Sequence, residues 1–166
     1  MKILITGDIH LGMRSAGTGG DHGASIGFAA GAWGRIVDLA IREAVKVVCL
    51  TGDVVEDRNR FLEAIGPLER GVKRLKENGI TVLAVAGNHD FDVLPSIANS
   101  LGEDSNFHLL GRGGNWERFT YREGANAVAH FDGFSFPQTH VTEDPLERYN
   151  LEGVDDAPII GMLHCD

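Results

Sequence analysis

The run "VKVVCLT" (45–51) constrains the fold most. It is β-branched and, past its lysine, continuously apolar, the pattern of a strand covered on both faces rather than on one. "ITVLAVA" (80–86) repeats that pattern and "KILIT" (2–6) is a shorter version of it. Between "KILIT" and "VKVVCLT" Trp33, Ile36, Val37, Ala40, Ile41 and Ala44 recur at helical spacing. Phe61, Leu62, Ile65, Leu68, Val72 and Leu75 give a second amphipathic helix, with Pro67 as a kink or late start and Asn78-Gly79 as its stop. Strand–helix–strand–helix–strand predicts an α/β fold with a parallel core. A short helix is expected over 92–101, with strand-like pieces at 107–110, 118–122, 127–136 and 159–164 and a turn at "GRGG" (111–114). The stretch 12–34 holds eight of the 22 glycines and reads as a mobile loop.

The 166 residues, 43% hydrophobic, suit one domain with a real core, and neither an internal repeat nor a domain boundary is visible. Two cysteines make no disulfide framework and no paired CxxC knuckle. The apolar run at the N-terminus is too short for a signal peptide, and no stretch approaches the roughly 18–20 apolar residues of a membrane span. These features predict a reducing, cytoplasmic setting without membrane attachment. A net charge of −9 argues against a freestanding nucleic-acid binder. The charge is uneven, however: Arg58 to Lys76 carries six Lys/Arg against two Glu, and Glu143 to Asp156 six acids against one Arg. The basic run reads either as a solvated helix face or as a substrate-facing rim.

The polar residues gather where the apolar runs end. "KILIT" runs into "GDIH", "VKVVCLT" into "GDVVED", "ITVLAVA" into "GNHD" and "PIIGML" into "HCD". Open parallel sheets bind ligands at the carboxyl ends of their strands, and glycine lets the chain turn sharply there. Four endings of this kind bring Asp, His and Asn to one expected edge. Such an oxygen and nitrogen set without cysteine suits manganese, iron, magnesium or zinc.

"GDIH", "GDVVE" and "GNHD" together resemble the calcineurin-like metallophosphoesterases, whose signature is D-x-H, GDxx(D) and GNH(D/E). "DIHLG" looks more like the DNA-repair exonucleases of the SbcD type than the protein phosphatases. The resemblance runs from Met1 through His164 and implies a metallophosphoesterase-type α/β sandwich with two divalent metal ions, manganese first among the candidates. By that resemblance Asp8 and His10 bind the first metal, Asp53 bridges, and Asn88 and His164 bind the second. His89 resembles the histidine that protonates the leaving oxygen, and Glu56 or its neighbour Asp57 takes the place of the carboxylate that orients it. The resemblance further implies DNA as substrate and an ATPase partner of the SbcC type, and it leaves a homodimer open.

Two departures from the family pattern stand out. Glu56 replaces the usual Asp of GDxxD, and the closing G-H-x-H element is not in the sequence, so 1–166 reads as the amino-terminal part of a metallophosphoesterase domain with an incomplete C-terminal end. Arg58 and Arg60, with Arg70 to Lys76 behind them, are the expected DNA rim. His22, His108, His130 and His140 read as loop, structural or surface histidines, Cys49 as a buried small hydrophobe, and Trp33 and Trp116 as packing residues. Two further functions compete with the nuclease. One is a small-molecule phosphodiesterase or phosphomonoesterase on the same site; the other is a degenerate, non-catalytic interaction module.

Overall fold

Residues 1–13, 22–56 and 61–165 are described by the structure, a computed structural model, with the side chains of 22–27, 61, 62 and 103 left aside. Four strands, β1 (Ile3–Thr6), β2 (Val47–Thr51), β3 (Thr81–Val85) and β4 (Phe107–Leu109), pair in parallel in that order. The helices α1 (His22–Arg42), α2 (Phe61–Glu77) and α3 (Leu94–Leu101) connect them. A second sheet has the order β5 (Trp116–Glu123), β6 (Asn126–Phe134), β7 (Ile159–Leu163). There β5 and β6 form an antiparallel pair, while β7 runs parallel to β6.

Alternation along β2 and β3 explains why both runs are apolar throughout. Successive side chains leave a strand on opposite faces. Val48, Leu50, Val82 and Ala84 join Trp33, Val37, Ala40, Leu68, Val72 and Leu75 in a core between sheet and helices. Val47, Cys49, Leu83 and Val85 face the other way and pack on Ala129, Phe131 and Met162 of the second sheet. Burial pushes the Cys49 thiol up to about 12, so it stays a protonated, apolar group.

Three expectations need correction. Residues 22–34 are helical rather than loop: α1 starts at His22, and Ala29 and Ala30 pack against the core, which outweighs the roughly 1 kcal/mol that each glycine costs a helix. Residues 14–21 lie outside those described. The "PIIGML" run forms β7 of the second sheet, so its His164 reaches the site from the facing layer, not from a fourth strand of the parallel edge. Pro67 does not mark a late start, because α2 already begins at Phe61 and runs through it, and the Pro67 carbonyl accepts the Trp33 indole N–H at 3.0 Å. Gly71, one turn on, leaves room for that indole, since a Cβ there would lie 2.1 Å from Trp33 Nε1.

Candidate metal centre

The parallel register aligns Thr51 with Val85 and Leu50 with Thr6, so β1, β2 and β3 end together. Beyond that edge the chains after β1 and β2 stay side by side. Asp8 N–H donates to the Gly52 carbonyl at 3.1 Å, His10 N–H to Asp53 at 2.9 Å and Leu11 N–H to Val54 at 2.9 Å. Glu56 N–H returns a bond to Leu11 at 2.9 Å. Leu11, Val54 and Val55 are fully buried beneath these turns and anchor them. Asp8, His10 and Asp53 all have left-handed backbones, with φ of 52°, 49° and 50°. Each such non-glycine conformation costs about 1–3 kcal/mol and persists only where its surroundings enforce it, which is typical of functional sites.

One ligand atom each from Asp8, His10 and Asp53 lies within 4.8 Å of the others, and the same holds for His10, Glu56 and His89. His10 Nδ1 is 3.1 Å from Glu56 Oε2, while its Nε2 faces Asp53 Oδ2 at 3.8 Å. His164, buried between the layers, sets Nδ1 3.0 Å from the Thr51 carbonyl and Nε2 3.2 Å from Asn88 Oδ1 and 3.5 Å from Asp53 Oδ2. Both nitrogens of each ring face acceptor oxygens; with Nδ1 donating to the Thr51 carbonyl or to Glu56, Nε2 is the atom each ring presents to the other side chains of the site. Nε2 of His164, Oδ1 of Asn88 and Oδ2 of Asp53 therefore converge, as do Nε2 of His10 and Oδ2 of Asp53. Convergent acceptors of this composition fit divalent cations, with Glu56 and the Thr51 carbonyl fixing the rings from outside.

His89 stands apart from these pairs. Its ring lies edge-on to His10 with centroids 5.0 Å apart, and its Nδ1 is 3.4 Å from Glu56 Oε1. Its backbone N–H donates to Asp53 Oδ1 at 3.1 Å, leaving Oδ2 to the histidine side.

Two glycines make the approach possible. A Cβ on Gly52, whose φ is +95°, would lie 2.5 Å from His164 Cγ. One on Gly87 would lie 2.3 Å from Asp53 Oδ1 and 2.8 Å from His164 Cδ2.

Sequence reasoning left Asp90 without a role. It is fully buried, and burial pushes its carboxyl up to about 6 even though three backbone N–H donors pull it down. The only available signal was its place in "GNHD". Ser135, just past β6, was missed as well. Its hydroxyl donates to Leu110 and accepts from Ala86 N–H at 2.9 Å, tying the end of β3 to the second sheet.

Of the other expected residues, Arg58, Arg60 and Asp57 lie outside those described. Arg70 to Lys76 does not border the site. Helix α2 leaves the carboxyl edge of β2 and descends about 1.5 Å per residue toward the start of β3, so the run lies at the opposite pole. There Arg74 pairs with Asp38 of α1 at 2.7 Å. His108 stacks on Phe119, His130 is buried between Thr120 and Asp155, and His140 is exposed. Cys165 is exposed.

The family model for calcineurin-like phosphoesterases matches residues 1–160. The chain belongs to that family. A curated relative of this phosphoesterase, the uncharacterized metallophosphoesterase YhaO of Bacillus subtilis (strain 168), is 34% identical over 131 residues, covering 78% of this chain and 31% of its own. The phosphoesterase thus spans about a third of that relative's length. Two solved structures are similar as well. A dimetal phosphatase from Danio rerio aligns at 19% identity over 80% of this chain and 43% of its own, with a TM-score of 0.48. Pseudomonas putida nuclease MPE aligns at 16% identity over 96% and 59%, also with a TM-score of 0.48. The family uses divalent metal ions, and the Asp8, His10 and Asp53 cluster offers ligands for one. Among the described residues no helix is long and apolar enough to cross a membrane.

Proposed function

We propose that this chain hydrolyses phosphodiesters with two divalent cations and is the nuclease part of a DNA-repair complex. The observation that carries the reading is the meeting of Asp8, His10, Asp53, Asn88 and His164 at one sheet edge, with His89 beside them on Glu56. In this reading Asp8, His10 and Asp53 would hold one ion, and Asp53, Asn88 and His164 the other. Bound divalent cations polarise the phosphoryl oxygens and bring the pKa of a bound water toward neutrality. A water oxygen would bond to phosphorus, its proton passing to solvent, as the bond to the leaving oxygen breaks, and His89, with its Nδ1 beside Glu56, would give that leaving oxygen its proton. Manganese suits the mixed carboxylate, amide and imidazole donors.

DNA as the substrate is supported by "DIHLG", which follows the SbcD-type pattern, and by Arg58 and Arg60, two and four residues past Glu56. An SbcC-type ATPase partner in the cytoplasm would supply grip on DNA that a chain of net charge −9 lacks.

Turnover in the full natural protein with manganese tests the reading. DNA degradation should fall steeply with added salt, because phosphate contacts release counterions. Hydrolysis of a small chromogenic diester should fall little. Reversing Arg58 and Arg60 to Glu should reduce DNA turnover and spare the small diester. Shallow salt dependence with preference for the small substrate would overturn the nuclease assignment.

A further inference from the structure

Asp90 receives three backbone N–H bonds from two separate turns. Val54 and Val55 donate to its Oδ2 at 2.7 and 3.3 Å, and Gly87 donates to its Oδ1 at 2.7 Å. Val54 and Val55 follow Asp53 after β2, and Gly87 precedes Asn88 after β3. The exchange is reciprocal, because His89 N–H of the second turn donates to Asp53 Oδ1 of the first at 3.1 Å. Two carboxylates and three amides thus cross-link the loops that carry Asp53 and Asn88, and the fourth amide, Gly87, closes the second loop on Asp90. Neither loop is regular structure, and no other side chain accepts from both among the bonds described.

We propose that Asp90 is a positioning residue that sets the spacing of Asp53 and Asn88, and through it the affinity for the cation held with His164. The inference rests on the two-metal reading above. Its chemistry is specific to a carboxylate. Three donors converge on two acceptor oxygens, so an Asn in either orientation turns its NH₂ toward an N–H and loses at least one bond. Asp53 is shared by both ions, but the β1–β2 ladder also holds its backbone through the His10 N–H, so loss of Asp90 should displace the Asn88 turn and affect the ion on Asp8 and His10 far less.

Calorimetric manganese titration of the full natural protein, with Asp8→Ala and Asn88→Ala used to assign the two binding events, tests this. Asp90→Asn should weaken the ion assigned to Asn88 about 10- to 100-fold, the range for losing a group that orients a ligand, and leave the other within threefold. Leu75→Ala, buried in α2 far from the site, should lower the melting temperature without separating the two affinities. Should Asp90→Asn fail to fold, Asp90→Glu, which keeps both acceptor oxygens on a longer arm, should show the same selective loss to a smaller degree. In the metal-free wild type, the amide protons of Val54, Val55 and Gly87 should exchange among the slowest. Fast exchange at those amides, or equal weakening of both ions by Asp90→Asn, would overturn the proposal. A wild type that binds no divalent ion would instead overturn the two-metal reading itself.

Discussion

Glu56 sets one carboxylate oxygen 3.4 Å from Nδ1 of His89 while the other lies 3.1 Å from Nδ1 of His10. One acid therefore holds both a histidine proposed as a metal ligand and the histidine proposed to protonate the leaving oxygen. The extra methylene of Glu over the usual Asp gives it the reach for two rings. Changing Glu56→Gln keeps the shape but leaves one acceptor for two N–H donors. Diesters with poor leaving groups, which need the proton, should then lose about 10²-fold or more in kcat. A p-nitrophenyl diester, whose leaving group needs none, should lose only a few-fold. Equal losses on both substrates would trace the effect to His10 and the metals, and would remove the acid role from the Glu56–His89 pair.

One substitution should have opposite effects at two glycines. At Gly87 an added methyl meets the Asp53 carboxylate at 2.3 Å and His164 at 2.8 Å, both buried. Neither can yield without leaving the site. Gly87→Ala should lower stability by about 1–3 kcal/mol, as overpacking does, and weaken manganese binding. At Gly34 in α1 the same methyl meets nothing within 4 Å. Gly34→Ala should stabilise the chain by about 0.5–1 kcal/mol and leave metal binding alone. Urea midpoints and manganese titrations on the two variants check the contrast; a Gly87→Ala chain with wild-type manganese affinity would show that the loops have slack.

The parallel sheet and the edge carrying the site were legible because β2 and β3 are apolar on both faces and end directly in "GD" and "GN". Their alternation toward helices on one side and a second sheet on the other follows from that pattern. The place of β7 was not legible, because an apolar run does not say which neighbour it pairs with; β6 and β7 meet across about 25 residues of intervening chain. Helix α1 was cut short because its glycines weigh against a helix locally, whereas packing of Ala29 and Ala30 decides it. The basic run misled for a different reason. For Arg70 to Lys76, nearness in sequence to Asp53 was taken for nearness in space, and α2 carries those residues away. Asp90 escaped notice because its partners are backbone N–H groups, which every residue but proline has.

Away from the site, Asp132 is fully buried and bound by Arg118 through two bonds of 2.6 Å, with the Tyr149 hydroxyl donating at 2.5 Å. Arg118 also holds the Glu152 carbonyl at 2.5 Å, so the pair pins the 145–152 segment to the outer face of the second sheet. Burial pushes the Asp132 carboxyl up, but the bonds from Arg118 and Tyr149 and the charge of Arg118 outweigh it and hold the group below its usual range. A carboxyl depressed in the folded state contributes stability above its unfolded value, about 4, and loses it as pH falls through the folded one. Arg118→Met leaves Asp132 buried without its cation, a change that typically costs about 3–5 kcal/mol at neutral pH. In that variant burial dominates, so the acid protonates readily as pH falls and the penalty against wild type should shrink between pH 7 and pH 4. Urea unfolding of both chains at the two pH values measures this. A penalty of equal size at both would mean that Arg118 acts by packing over the 145–152 segment rather than by its charge on Asp132.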